Sequence, residues 1–321
     1  MMKDFIRSLP QLADACAIGF AAAERVDKTF DDFFSRWLAD GKNGSLDYMA
    51  NHRELRSNPQ KLLPGAKTVI AIAFSYNQPV LRDKSLPMIA RYAYGKDYHN
   101  VLRKILKKAV TELQQHFGGD YRICIDSAPI PERYWALRAG IGRRGRNGCV
   151  IVDGAGSFIF LTEILTTLEI EPDEPTTRTC LDCGRCIREC PTGALTPDGL
   201  DASRCLSALT IERKGPWTDS ERRIMALPAA RSTLFGCDRC QTVCPHNAAI
   251  PATPIDALLP KRQTASSADT KNGLDTLTLT SDDILHLSQD DFDNKFAGSP
   301  LRRPGLDALR RNALNTLQDK H

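Results

Sequence analysis

Between residues 98 and 117 the apolar side chains Val101, Leu102, Ile105, Leu106, Ala109, Val110, Leu113 and Phe117 return every three or four positions, with Lys104, Lys107, Lys108 and Gln114 between them. That period lays one apolar stripe along a helix, and Gly118-Gly119 supplies its stop. A second amphipathic helix is predicted over Thr29 to Asp40, where Phe30, Phe33, Phe34, Trp37 and Leu38 fall at helical spacing before Gly41. Over residues 67–76 the period is lost, and a nearly unbroken apolar, partly β-branched run follows Pro64-Gly65, which reads as a buried strand. Further strands are predicted at Tyr121 to Ile125, Cys149 to Val152 and Ser157 to Thr162, with a helix at Glu132 to Ala139. The turn Asp153-Gly154-Ala155-Gly156 joins the last two strands into a hairpin. Strands alternating with helices and then pairing predict an α+β sandwich on a mixed sheet, spanning residues 1–170.

The acidic, proline-bearing stretch Glu169-Ile170-Glu171-Pro172-Asp173-Glu174-Pro175 then marks a boundary. Residues 171–250 hold all of the chain's 11 cysteines except Cys16, Cys124 and Cys149, and are expected to form a module whose cores are inorganic. Residues 251–321 form a C-terminal extension, with a polar linker at Lys261 to Asn272 and short helices at Ser281 to Leu287 and Gly305 to Leu317.

The spacing Cys180-x2-Cys183-x2-Cys186-x3-Cys190-Pro191 is that of bacterial ferredoxins. There, three thiolates on a tight loop hold one iron–sulfur cube, and the fourth points at the neighbouring cube. A second run, Cys237-x2-Cys240-x3-Cys244-Pro245, lacks one thiol, because Leu234 stands three residues before Cys237; Cys205 is the stand-in. Crossed ligation then assigns Cys180, Cys183, Cys186 and Cys244 to one [4Fe-4S] cluster and Cys190, Cys205, Cys237 and Cys240 to the other. Thiolate spacing alone also admits zinc or disulfides, and the repeated C-x2-C-x3-C-P ending is what favours iron–sulfur. Cys16, Cys124 and Cys149 read as small buried hydrophobes.

With 321 residues and 42% hydrophobic content, the chain has enough material for a large core plus a smaller module. Its start has no apolar export region or twin arginine, and no run of about 18 apolar residues occurs, so a cytoplasmic protein with no membrane partner is expected. The net charge of +4 is mild but uneven. Arg143, Arg144, Arg146, Arg185, Arg188, Arg204, Arg213 and Lys214 crowd towards the cysteine module, as a solvated face or a site for a polyanion such as RNA. Gly140-Ile141-Gly142-Arg143-Arg144-Gly145 matches a dinucleotide pattern but follows a helix and precedes a strand, the reverse of the required order, which excludes nicotinamide binding. Asp97-Tyr98-His99 begins like the cobalamin-ligating D-x-H-x-x-G word, yet Leu102 replaces the glycine, so His99 reads as a helix-start or packing residue.

Several words along residues 40–247 resemble the epoxyqueuosine reductases, cobalamin-dependent iron–sulfur enzymes of tRNA queuosine modification. They are Asp47-Tyr48-Met49-Ala50-Asn51-His52 with Arg53 and Arg56, Tyr94-Gly95-Lys96-Asp97-Tyr98-His99, Asp126-Ser127-Ala128-Pro129 with Glu132-Arg133, Ala139-Gly140-Ile141-Gly142, Thr210-Ile211-Glu212 with Lys214-Gly215, and Phe235-Gly236-Cys237-Asp238-Arg239-Cys240-Gln241. The resemblance implies a nitroreductase-like cobalamin-binding domain followed by a ferredoxin-like two-cluster module that feeds it electrons from an external low-potential donor. It also implies loss of the epoxide oxygen of epoxyqueuosine at the tRNA wobble position.

By the same resemblance, Asp126 is the acid that protonates the departing oxygen, Arg56, Asp126 and Ser207 contact cobalamin, and Lys214 contacts tRNA. An ordinary aspartate titrates near 3.9, so Asp126 is expected to act as an acid only if burial raises that value. Read alone, Asp126 is a turn or cap residue before Pro129. Cobalamin is expected to bind with its own base detached and no histidine on cobalt. Two departures stand out: Arg143 and Arg144 replace a usual apolar pair, and His246 a usual tryptophan. Rival readings are a reductive dehalogenase-like corrinoid enzyme and an electron-transfer protein without cobalamin catalysis.

Overall fold

The structure, a computed structural model, describes residues 1–260 and 275–318, so the predicted linker at Lys261 to Asn272 lies outside the described residues. Four strands build the main sheet: β1 (Ala15–Ala22), β2 (Thr68–Ser75), β3 (Tyr121–Cys124) and β4 (Ile159–Thr166). Their spatial order is β1-β2-β4-β3, and every neighbouring pair is antiparallel. The expected mixed sheet is thereby corrected, for a topological reason. β2 and β3 flank the long helix in sequence and run parallel to each other, but β4 enters between them and makes both ladders antiparallel.

Five helices matter for the site: α1 (Lys28–Ala39), α2 (Tyr98–Phe117), α3 (Glu132–Arg138), α4 (Leu206–Ile211) and α5 (Leu306–Leu317). Side chains alternate across a strand. Ile70, Ile72 and Phe74 of β2 therefore enter one core with Leu102, Leu106, Ala109 and Leu113 of α2. Val69, Ala71 and Ala73 enter a second core on the other face with Trp135 and Ala136 of α3. Burial on both faces is why β2 reads as an unbroken apolar run.

The predicted hairpin does not form. Val150–Ile151 pairs with Arg143–Arg144, and the turn closes only a Val152–Gly156 bridge. β4 is held in mid-sheet by β2 and β3, so both its edges are taken before residues 149–152 reach it. Strand β1 carried no readable signal, being mostly alanine with Cys16 and Gly19. Its composition follows from packing: a Cβ on Gly19 would stand 2.0 Å from the Ala139 carbonyl oxygen.

The cysteine module is not built on metal alone. Leu234, where a ferredoxin repeat would place a cysteine, is 0% exposed and belongs to an apolar cluster with Ile211, Phe235, Ile284, Phe296 and Leu309. Thr233–Phe235 pairs in parallel with Met88–Ile89, which joins this cluster to the first domain. The Arg82 guanidinium adds to the join by donating to the carbonyls of Pro87, Thr276 and Leu279. Among the described residues no helix is long and apolar enough to cross a membrane.

Candidate active site and cluster ligands

Strand β3 ends at Cys124, and two residues later Asp126 adopts φ 46°, a left-handed conformation that costs a non-glycine residue of order 1–3 kcal/mol. Glu132, the first residue of α3, holds it there: its Oε1 accepts the Asp126 N–H at 2.6 Å. The Asp126 carboxylate meets the start of α2. Asp97 caps that helix, its Oδ1 accepting the His99 N–H at 2.9 Å and facing His99 Nδ1 at 2.8 Å. On the far side of the ring His99 Nε2 lies 3.2 Å from Asp126 Oδ2. A row Asp97, His99, Asp126 results, with the Tyr98 ring stacked against His99.

The Asp126 side chain keeps 59% of its area open, so solvent reaches it from one direction while protein crowds the others. Desolvation is the largest influence and pushes its pKa up, but the hydrogen bond and charge of His99, the Tyr98 hydroxyl and the Arg303 charge outweigh it, leaving the carboxyl below the ordinary range. In the chain without bound cobalamin the neighbouring cation thus outweighs burial at Asp126. For His99, desolvation lowers the pKa, while its bonds to Asp126 and Asp97 more than compensate and raise it to about 9. Beneath them Glu132 is pushed up to about 8 by desolvation and by the charge of Asp126. Glu163 on β4 is fully buried with neither carboxyl oxygen bonded, and burial with Glu132 nearby raises it well above the ordinary value.

Arg56 faces the same group of charges, donating to the Tyr48 carbonyl at 3.1 Å while its Nε stays buried without a partner. Arg303 pairs with Glu212 at 3.0 Å and lies 6.0 Å over the Tyr48 ring, and Lys214 Nζ donates to the Arg303 carbonyl at 2.5 Å. Asp126 and Arg56 thus feel each other's charge, with Arg303 and, bonded to it, Lys214 nearby. Ser207 is half-buried in the first turn of α4, two residues after Cys205 rather than in this group.

Cys180, Cys183, Cys186 and Cys244 line a single cavity, together with Arg146 and His246. Left-handed Asp182 (φ 53°) and Gly184 (φ 66°) wind the loop so that its three thiols turn to one side. Cys183 and Leu181 are exposed, the latter by 63%, so this cavity lies at the molecular edge. Cys205, Cys190, Cys237 and Cys240 form a second group whose thiols feel one another's charge, with the Ser207 and Ala208 amides directed at Cys205. Among the described residues no three His, Cys, Asp or Glu side chains close to the spacing of one bare ion. Each group supplies four thiols, the number and the donor type that one cube takes.

A family model described as epoxyqueuosine reductase QueG, DUF1730, matches residues 56–127, and one described as a 4Fe-4S double cluster binding domain matches residues 179–247. An epoxyqueuosine reductase of Xanthomonas campestris is 36% identical over 86% of this chain and 76% of its own. One of Leadbetterella byssophila is 33% identical over 97% of this chain and 98% of its own. The chain belongs to the epoxyqueuosine reductase family. A solved epoxyqueuosine reductase, described with a tRNA-Tyr epoxyqueuosine-modified tRNA stem loop, superposes with a TM-score of 0.82, 29% identity and coverage of 98% of this chain and 80% of that one. Like its relatives, this epoxyqueuosine reductase family chain carries two [4Fe-4S] clusters, in a stretch that takes in every cysteine of the two runs.

The charged departure from the family pattern is absorbed locally. Arg143 bonds Asp153, which also takes Arg178 at 2.9 Å, and the backbone of Arg144 bonds Arg178 and Cys180, tying the first cysteine to the Arg143–Arg144 strand. Sequence reasoning missed His99, Tyr98 and Glu132 as site residues. One signal was available: a histidine at the second position of a helix sets its cationic form against the helix dipole, so its presence there calls for a nearby anion.

Proposed function

We propose that this chain reduces epoxyqueuosine to queuosine at the wobble position of tRNA, with cobalamin and two [4Fe-4S] clusters as its redox cofactors. Membership of the family over nearly the whole chain carries this reading, and favours it over a dehalogenase-like enzyme or a bare electron carrier. Removing the epoxide oxygen as water consumes two electrons and two protons. Bound cobalamin supplies the low-valent cobalt that delivers the electrons to the substrate.

The remaining tasks fall to side chains. Asp126 protonates the departing oxygen from the open side of the site. The unpaired Nε of Arg56, buried beside Asp126, is the orphaned donor that suits the amide-rich rim of a corrinoid, with Ser207 as a second contact. Both ring nitrogens of His99 are engaged by Asp97 and Asp126, which leaves neither to bind cobalt, so His99 would serve the proton chemistry rather than hold the cofactor. The thiolates of Cys180, Cys183, Cys186 and Cys244 hold the outer cluster, and those of Cys190, Cys205, Cys237 and Cys240 the inner one. Lys214, exposed beside Arg303, meets a tRNA phosphate. An external low-potential carrier loads the clusters, and the reaction takes place in the cytoplasm, where tRNA is. Residues 1–170, 171–250 and 251–321 divide this work as catalytic domain, cluster module and extension.

Anaerobic incubation of the reconstituted protein with cobalamin, a low-potential reductant and epoxyqueuosine-tRNA, followed by nucleoside mass analysis, tests the reading. Conversion to queuosine is expected; an unchanged nucleoside with both cofactors loaded overturns it.

A further inference from the structure

We infer that His99 is the proton supply of Asp126: the imidazolium, held between Asp97 and Asp126, hands its Nε2 proton to Asp126 Oδ2 for each protonation of the departing oxygen. The inference rests on the proposed epoxide reduction and on Asp126 as the group that meets the substrate.

The reaction consumes two protons, yet the site offers the substrate one carboxyl, and in the resting protein that carboxyl is ionised. The proton is stored one bond away. Asp97 Oδ1 accepts from Nδ1 at 2.8 Å, which fixes the ring so that the other nitrogen faces Asp126 Oδ2 at 3.2 Å. With carboxylates on both ring nitrogens, each nitrogen is a donor, and the ring is a cation despite its place in the first turn of α2. Tyr98 stacks on the ring with centroids 4.2 Å apart. The other groups facing the pair are Tyr48, Tyr92, Glu132, Arg56 and Arg303. The two arginines favour the carboxylate on Asp126, whereas Asp97 and Asp126 keep the proton on the ring.

The step balances. The His99 Nε2–H bond breaks as its proton forms a bond to the Asp126 carboxylate, and the carboxyl passes a proton on to the oxygen as the C–O bond breaks with the electron pair that reduced cobalamin would supply. His99 is left as a neutral imidazole and Asp126 as a carboxylate again. The His99 side chain is 29% exposed, so solvent restores the imidazolium, and a second pass releases the oxygen as water. Because His99 acts through Asp126, it is a positioning residue that also carries the proton, and Asp97 orients it.

Two measurements decide the matter. In the cluster-loaded protein with 15N-labelled histidine, NMR at pH 7.5 is expected to show His99 protonated on both nitrogens. Asp126→Asn or Asp97→Asn should lower its titration midpoint by at least about one unit. In turnover, His99→Gln should cut kcat about 10²-fold with KM for tRNA unchanged, and move the alkaline limb of the pH–rate profile from near 9 down towards the carboxylate range. A neutral His99 at pH 7.5, or a His99→Gln profile that matches the parent, overturns the relay while leaving Asp126 as the acid. Absence of turnover by the parent defeats the reading beneath it, whatever the NMR shows.

Discussion

At Asp126 two demands oppose each other: the carboxyl must point to the open side of the site, and the backbone that aims it there is in a conformation an aspartate resists. The bond from its amide to Glu132 settles the contest. Glu132→Ala removes the acceptor and is expected to lower kcat about tenfold or more with little change in cobalamin affinity, whereas Glu132→Gln keeps an acceptor oxygen and most of the rate. Hydrogen–deuterium exchange of residues 125–128 separates the two variants, since only the alanine should loosen the loop. Asp126→Asn keeps the size but not the transferable proton; cobalamin titration should be unchanged and turnover should fall by roughly 10²-fold. At this scale the sequence was legible only by analogy. Asp126 sits in a word shared with a family, but neither its positive φ nor the reach of Glu132 across six residues leaves a local pattern. The ionic partnership of His99 depends on where β3 ends relative to α2, which no periodicity encodes.

Among the elements, those whose burial follows one clear period were readable from their side chains. Helix α2 begins and ends where its stripe does, at Tyr98 and Phe117, and β2 falls within one residue of its apolar run. Strand β1 was invisible because half of it is alanine and Gly19 is kept small by close contact with Ala139, so strand preference leaves little trace. The misread hairpin shows that a good turn between two strand-like runs does not make them partners when the middle of a sheet claims one of them. The irregular second cysteine run has a similar cause: Leu234 lies in a strand committed to an apolar cluster, which is why the proposed ligand set takes its fourth thiol from Cys205 at the start of α4. Cys205→Ser should therefore reduce the iron content of reconstituted protein from about eight to about four per chain, with the remaining cluster's spectrum intact. Two intact clusters in that variant would remove Cys205 from the ligand set.

Across the whole molecule, buried carboxyls and surface arginines give opposite handles on pH and salt. Glu132 and Glu163 titrate higher in the fold than in the unfolded chain, so the fold retains protons that the unfolded chain releases. Their stabilising effect is complete below the ordinary glutamate value of 4.5 and is lost as pH rises towards about 8. Glu163→Gln should flatten that decline, read as a denaturation midpoint that falls less between about pH 5 and pH 8 than the parent's. For tRNA, Lys214→Ala should weaken binding and reduce the slope of log affinity against log salt by about one, as the loss of one phosphate contact does. The placement of Cys183 at the molecular edge has a further consequence, for damage rather than catalysis. With the proposed ligand sets, dioxygen should meet the cube on the exposed Cys183 loop before the one held by the four half-buried cysteines beside α4. Brief exposure to air should strip about four irons from the Cys180 loop before the remainder, leaving a protein that still folds and holds one cube but has lost the entry point for its electrons.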